Sequence, residues 1–243
     1  MTRPHRPESA KPYAQRRPRV WLFDLDNTLH NASHFAFGGI NGAMTEYIVR
    51  ELSMSPPQAD ALRRTYWLRY GATLLGLVRH HGVRSEHFLH HTHLLPGLED
   101  AVHGHPHDLA VLRALRGPKY ILTNAPRAYT ERVLGVLGIA RFFDGVIAVE
   151  DMRMFGALRP KPDARMLRRL AARLHVPPSR CVLIEDTLAH QKAACRIGMR
   201  TVWMQRWMRQ AARAQAAAPR HSVRPPYVGR RICRLRELLR NAT

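Results

Sequence analysis

The chain has 243 residues, 45% of them hydrophobic, which is enough for one sizeable core with or without a small insert. No apolar run approaches the roughly 20 residues of a membrane span, and three cysteines, Cys181, Cys195 and Cys233, odd in number and without Cys-x-x-Cys spacing, argue against a disulfide framework and fit a reducing compartment. Lys plus Arg number 39 against 18 Asp plus Glu, a formal charge of +21; the excess is mostly Arg and is spread along the chain, which describes a broadly anion-attracting surface rather than a stripe built to read nucleic acid.

Residues 1–18 are rich in Pro and Arg and nearly free of large apolar side chains, so a disordered basic arm is expected there. Arg16-Arg17 is followed by no apolar signal core, and the expected location is the cytoplasm. Val20-Trp21-Leu22-Phe23 then has the length and composition of a buried strand that stops at Asp24 and Asp26. In an open α/β sheet, ligands bind at that carboxyl edge. If strand geometry persists, the two acids point to one side, and their crowding calls for a cation or a shared proton. Taken alone, the pair reads equally well as a helix cap and a solvated loop acid.

From Phe35 to about His105 the pattern becomes helical. Ile40, Ala43, Met44, Tyr47, Ile48 and Leu52 share a helix face, with Gly38-Gly39 as the expected hinge out of the core. Ser55 caps a second helix carrying Leu62, Tyr66, Trp67, Tyr70, Leu74, Leu75 and Val78, weakened at Gly71. Ser85 caps a third through His93. Three such helices predict a small cap, and Tyr66, Arg69 and Tyr70 are its candidate substrate contacts, because rings stack on bases and Arg pairs with anions. Aromatic residues at this spacing equally describe a helix's packed face. His87 and His91, like His103 and His107, stand four apart, one of the spacings zinc ligands use; without nearby Cys, solvated surface histidines are the simpler expectation.

The core resumes with a helix over 108–115 and a strand, Tyr120–Leu122, ending at Thr123-Asn124, whose hydroxyl and following amides suit an anion. A helix over 127–137, a strand over 146–149 and Arg159-Pro160-Lys161-Pro162-Asp163 follow. Lys is scarce in this chain, and this one is fixed between two prolines. After a helix over 164–175, the strand Cys181–Ile184 ends at Glu185-Asp186-Thr187; a helix over 188–197 and the strand Arg200–Trp203 complete the alternation. Residues 210–226 read as a surface loop, Tyr227-Val228 as a last strand and 231–240 as a closing helix. Five strands separated by helices predict a doubly wound parallel α/β sheet with one site along its carboxyl edge. The expected division is residues 19–34 and 106–243 as a Rossmann-like core and 35–105 as an inserted helical cap.

With Asp24-Leu25-Asp26-Asn27-Thr28-Leu29, Thr123-Asn124-Ala125, Lys161 and Glu185-Asp186-Thr187-Leu188 in order, the chain resembles the haloacid dehalogenase-like superfamily. More closely it resembles the branch with a helical cap between the first two motifs that includes pyrimidine 5'-nucleotidases. The resemblance implies that Asp24 is a nucleophile forming an aspartyl-phosphate and that Asp26 is the general acid and then base. It implies phosphate binding by Thr123, Asn124 and Lys161, and Mg²⁺ held by Asp24, the Asp26 carbonyl and Asp186, with Glu185 in direct or outlying support. Relatives often carry Asn where this chain has His190. The implied reaction is Mg²⁺-dependent hydrolysis of a small phosphomonoester, foremost a pyrimidine nucleoside monophosphate, by a monomer or homodimer with no specific nucleic-acid partner and no membrane. The alternatives are a phosphatase or phosphomutase for a sugar phosphate and, from another class, a basic nucleic-acid-binding protein without catalysis.

Overall fold

The computed structural model describes residues 19–214 and 223–241; the expected N-terminal arm lies outside the described residues. Its centre is β1 (Val20–Phe23), all four residues buried. On either side lie β2 (Lys119–Leu122) and β6 (Cys181–Glu185), and beyond them β3 (Gly145–Ile147), β7 (Arg200–Met204) and β8 (Arg230–Ile232). The sheet order is β3-β2-β1-β6-β7-β8, with every pairing parallel. Phe23 is in register with Ile121 on one side and Ile184 on the other, so the ends of the three strands lie within one residue of one another.

The two-residue period of a strand divides the core into two layers. Trp21, Phe23, Ile121, Val182, Ile184, Val202 and Met204 face one side, packed with α6 (Asp108–Ala114), α7 (Arg127–Leu137) and the 3₁₀ turn Leu235–Asn241. Val20, Leu22, Leu122, Cys181 and Leu183 face the other, under α8 (Ala164–Arg173) and α9 (Leu188–Arg196). Each such Leu or Phe, fully buried, contributes roughly 1.5–3 kcal/mol. The result is the doubly wound α/β fold that the alternation of elements predicts.

The segment after β1 forms five helices where three are expected: α1 (Ala36–Leu52), α2 (Pro56–Tyr70), α3 (Thr73–His81), α4 (Ser85–His93) and the single turn α5 (Leu98–Ala101). The break falls at Gly71, which takes a left-handed φ of 79° and closes α2 by donating its N–H to Trp67 O at 2.9 Å. The two helices then pack so closely that a Cβ on Gly76 would sit 2.2 Å from Tyr66 Cγ. Gly38 and Gly39 are no hinge, since both lie inside α1. Ser55 precedes α2 as expected, its N–H donating to Gln58 Oε1 at 3.0 Å, whereas Ser85 is the first residue of α4 and Arg84 holds the cap position. Tyr47, Ile48, Tyr66, Leu74, Leu77, Phe88 and Leu89 form a hydrophobic cluster of these helices.

Three other elements differ from expectation. An antiparallel hairpin, β4 (Arg153–Met154) and β5 (Ala157–Leu158), follows β3. Residues 210–214 continue a helix, α10 (Arg206–Ala214), anchored by Arg206, whose guanidinium donates to both Asp108 carboxylate oxygens at 2.5 and 2.9 Å; the first part of the loop expected from 210 is therefore helical, and residues 215–222 lie outside the described residues. The last strand is Arg230–Ile232, just past Tyr227-Val228, and the closing helix is the short 3₁₀ turn. Among the described residues, no helix is long and apolar enough to cross a membrane.

Candidate active site

The site is assembled where the central strands stop. Beyond the end of β1, Asp24 donates its N–H to Ile184 O at 2.9 Å, which continues the β1–β6 ladder by one residue and fixes the carboxylate over the sheet edge. Asp24 Oδ2 accepts from the Thr28 hydroxyl at 2.9 Å, and Oδ1 accepts from Lys161 Nζ at 2.7 Å. The same ammonium donates to Glu185 Oε2 at 2.7 Å. Lys161, Glu185 and Asp24 are 1%, 1% and 6% exposed, so three charges are held together out of water and stabilise one another only as a set.

Lys161 reaches this place because its main chain is gripped. Asn124, at the end of β2, accepts from Lys161 N through Oδ1 and donates to Lys161 O through Nδ2, both at 2.9 Å. Thr123 is 1% exposed; its hydroxyl accepts from Ala125 N at 3.0 Å, which leaves its proton to donate. Glu185 has both oxygens occupied: Oε1 accepts from the amides of Asp186 and Thr187 at 3.1 and 3.0 Å, and His190 Nδ1 lies 2.9 Å from Oε2, beside Lys161. His190, where the resemblance implies Asn, thus faces the acid. Gln191, fully buried, ties α9 to the sheet by donating to the Glu185 and Val202 carbonyls at 2.8 Å.

The electrostatics show how crowded these acids are. Burial, and then the Glu185 charge, push the Asp24 carboxyl up to about 6 against the pull of Lys161. Asp186 is raised well above the usual range by burial and then by Glu185 and Asp24. Burial works against ionised Glu185 too, but Lys161 and His190 outweigh it and hold that acid low. Lys161 likewise stays charged despite burial because two carboxylates face it. Oxygen atoms of Asp24, Glu185 and Asp186 lie within 4.8 Å of one another. An all-oxygen donor set with two acids pushed up by their neighbours fits a hard divalent cation.

Asp26 is placed differently from Asp24. The strand ends at Phe23 and Asn27 turns the chain with a φ of 56°, so the two-residue alternation stops and the Asp26 side chain lies outside the cluster of Asp24, Glu185 and Asp186. Instead Asp26 Oδ1 accepts from the Tyr129 hydroxyl at 2.8 Å and lies 2.9 Å from His30 Nε2. His30 is 1% exposed, and its Nδ1 has no hydrogen-bond partner among the described residues, a cost of roughly 1–3 kcal/mol. His93, from α4, meets the Tyr129 ring edge-on at 5.8 Å; burial pushes its imidazole down to about 4, partly countered by Asp26. Neither His30 nor Tyr129 follows from the sequence reasoning. A signal for His30 existed, four residues after an acid in a tight turn; Tyr129 stands 103 residues away on α7 with nothing local to mark it.

The three cap candidates differ in exposure. Tyr66 is 9% exposed, and its hydroxyl lies 2.8 Å from His81 Nε2, so its ring belongs to the helical core. Arg69 is exposed, its guanidinium 5.5 Å from the centre of the half-buried Tyr70 ring. Next to them, Gly71 faces Pro162, to whose Cδ a Cβ would come within 3.6 Å, so the end of α2 borders the Lys161 loop. Most histidines of these helices are exposed, as expected, and some also pair with tyrosines: His87 with Tyr47 at 2.8 Å, His80 with Tyr70 at 2.5 Å. The only cluster of three or more His, Cys, Asp or Glu suited to a metal among the described residues is the acidic one.

The chain is similar to known proteins. A model of the haloacid dehalogenase-like hydrolases matches residues 18–198. The chain is 27% identical over 188 residues to validoxylamine A 7'-phosphate phosphatase of Streptomyces hygroscopicus subsp. limoneus, covering 74% of this chain and 83% of that one. It is 33% identical over 87 residues to the fructose-1-phosphate phosphatase YqaB of Escherichia coli K12, covering 36% and 44%. The crystal structure of a HAD phosphatase from Thermococcus onnurineus superposes with a TM-score of 0.59 at 20% identity, over 91% of this chain and 96% of that one, which is a likeness of fold. With a buried Asp-Lys-Glu set on the carboxyl edge of a doubly wound sheet and a family match spanning most of the sequence, the chain belongs to the haloacid dehalogenase-like hydrolases.

Proposed function

We propose that the protein is a phosphomonoesterase working through an aspartyl-phosphate on Asp24. The observation that carries this reading is the Asp24–Lys161–Glu185 set: a buried carboxylate with one oxygen on Thr28 and the other on an ammonium that Glu185 keeps charged. With its pKa raised to about 6, Asp24 is largely ionised near neutral pH yet more basic than an ordinary carboxylate, which suits a nucleophile. Its oxygen bonds to phosphorus as the ester P–O bond breaks. The departing oxygen takes the Asp26 proton; the Asp26 carboxylate then removes a proton from the water that attacks the same phosphorus, releasing phosphate and restoring Asp24. Lys161, the Thr123 hydroxyl and Asn124 are the proposed partners of the phosphoryl oxygens.

Mg²⁺ is the proposed cofactor, with Asp24 and Asp186 as side-chain ligands, the Asp26 carbonyl as a third and Glu185 in support. When bound, it would offset the charge shared by the carboxylates and a phosphate dianion. We read 35–105 as a cap over the core of 19–34 and 106–243, because its helices share a hydrophobic cluster that meets the core at Val149 and Leu158 while the end of α2 borders the Lys161 loop.

For the substrate, a sugar phosphate is the better-supported class, since two relatives are named for validoxylamine A 7'-phosphate and fructose 1-phosphate and Tyr66 is buried. A pyrimidine nucleoside monophosphate is the second reading, favoured by Arg69 and Tyr70 beside the Lys161 loop. Phosphate release from sugar phosphates, nucleoside monophosphates and other small esters, measured with Mg²⁺ and with a chelator, tests all of this. Release that requires Mg²⁺ and vanishes in Asp24→Asn is expected; full activity in that variant overturns the mechanism, and substrate turnover without free phosphate would indicate a mutase.

A further inference from the structure

The contacts of Asp26 are one-sided. Its hydrogen-bonding neighbours among the described residues, Tyr129 OH at 2.8 Å and His30 Nε2 at 2.9 Å, both meet Oδ1, and neither meets Oδ2. The side chain keeps 17% of its exposure, and Oδ2 is not among the buried polar atoms left without a partner, so the second oxygen is accessible. The two partners are anchored. His30 is fully buried one turn after Asp26, and with Nδ1 unpartnered the network assigns the tautomer that carries its proton on Nε2, toward the carboxylate. Tyr129 is 1% exposed on α7 and is braced by the edge contact with His93.

We infer that His30 and Tyr129 are positioning residues for this reaction: by holding Oδ1 from two directions they fix the Asp26 rotamer and present Oδ2 to the departing ester oxygen. The inference rests on the reading of Asp26 as the proton donor. A carboxyl group delivers a proton well only when one oxygen lies within hydrogen-bond reach of the leaving atom in the reacting geometry, and a free side chain shares that geometry with other rotamers. Two donors on one oxygen remove those alternatives. His93 extends the chain of contacts into α4, so the orientation of the donor is tied to the helices that cover the site.

Dependence on the leaving group tests this. p-Nitrophenol departs as a stable anion with little help, whereas phenol needs its proton supplied as the bond breaks. The second-order constant kcat/KM on p-nitrophenyl phosphate and on phenyl phosphate is measured for the wild type, Tyr129→Phe, the Tyr129→Phe/His30→Leu double variant and Asp26→Asn. Because kcat/KM reports steps up to loss of the phenol, it isolates donation from the later hydrolysis. Tyr129→Phe is expected to lose about ten-fold more on phenyl than on p-nitrophenyl phosphate, with the double variant steeper and approaching Asp26→Asn. Equal losses on both esters, or none, while Asp26→Asn remains steep, overturn the positioning role and leave the mechanism intact. Equal losses in Asp26→Asn itself overturn the reading of Asp26 as acid and this inference with it. Should the double variant not fold, Tyr129→Phe decides alone.

Discussion

The side chain of Asn124 and the main chain of Lys161 exchange two hydrogen bonds of 2.9 Å, so that an amide at the end of one strand holds in place a loop 37 residues further on. Asn124→Ala leaves the Lys161 N–H and carbonyl without that partner and lets the ammonium drift. The expected result is a loss of up to ~100-fold in kcat/KM for phosphate release, with a stability cost of about 1–3 kcal/mol. Asn124→Asp, which turns a donor into an acceptor against the Lys161 carbonyl, is expected to cost more. Steady-state kinetics with urea unfolding checks both.

Lys161 supplies the positive charge between two buried carboxylates, so Lys161→Met is expected to destabilise by roughly 3–5 kcal/mol as well as to abolish turnover, because Glu185 is left buried without that counter-charge. Adding Glu185→Gln removes the stranded charge. The double variant is therefore expected to be more stable than Lys161→Met alone, and strictly additive losses in a thermal-unfolding cycle would refute the coupling.

The raised Asp24 carboxyl ties stability to pH. Folded Asp24 titrates at about 6 and unfolded near the ordinary 3.8, so its contribution is fully present below about pH 4 and is lost as the pH climbs through about 6. Asp186, also raised, acts in the same sense; Glu185, held low, acts oppositely, and its contribution is lost only in acid. Without metal, Asp24→Asn is thus expected to gain melting temperature relative to the wild type on going from pH 5.5 to 7.5. Mg²⁺ competes with those protons and is expected to raise the wild-type melting temperature more at pH 7.5 than at pH 5.5. Differential scanning fluorimetry at both pH values reads each effect.

In the helical segment, Gly76→Ala places a methyl group 2.2 Å from Tyr66 Cγ, inside the α2–α3 contact. Relief requires the two helices to part, at a cost of typically 1–3 kcal/mol. Thermal unfolding is expected to show that loss, while Gly42→Ala, with nothing within 4 Å, serves as the neutral control.

The strands and the charged set were readable because each strand is a short apolar run that ends in a polar residue, and Asp24, Lys161 and Glu185 each follow or flank such a signal. What the sequence hid depends on tertiary approach. Tyr129 meets Asp26 only after α7 docks on the sheet, and Tyr66 looks like a stacking surface until Gly76 brings α3 against it. The helix break at Gly71 was marked by its residue type, but apolar periodicity running through Val78 masked it. The hairpin at 153–158 has strands of two residues, too short for any alternation to register.

The ion pair between Lys161 and Asp24 closes 137 residues of chain, and Glu185 joins it from a third strand unit. Chain closure of that span contributes nothing until the middle of the sheet has formed, whereas the helices on either side draw on near neighbours. No fragment shorter than 24–186 holds every residue of the proposed site. Enzymatic activity therefore serves as a reporter of completed folding: after dilution from denaturant, helical circular dichroism is expected to recover first, and phosphate release only when β1, β2 and β6 have come together.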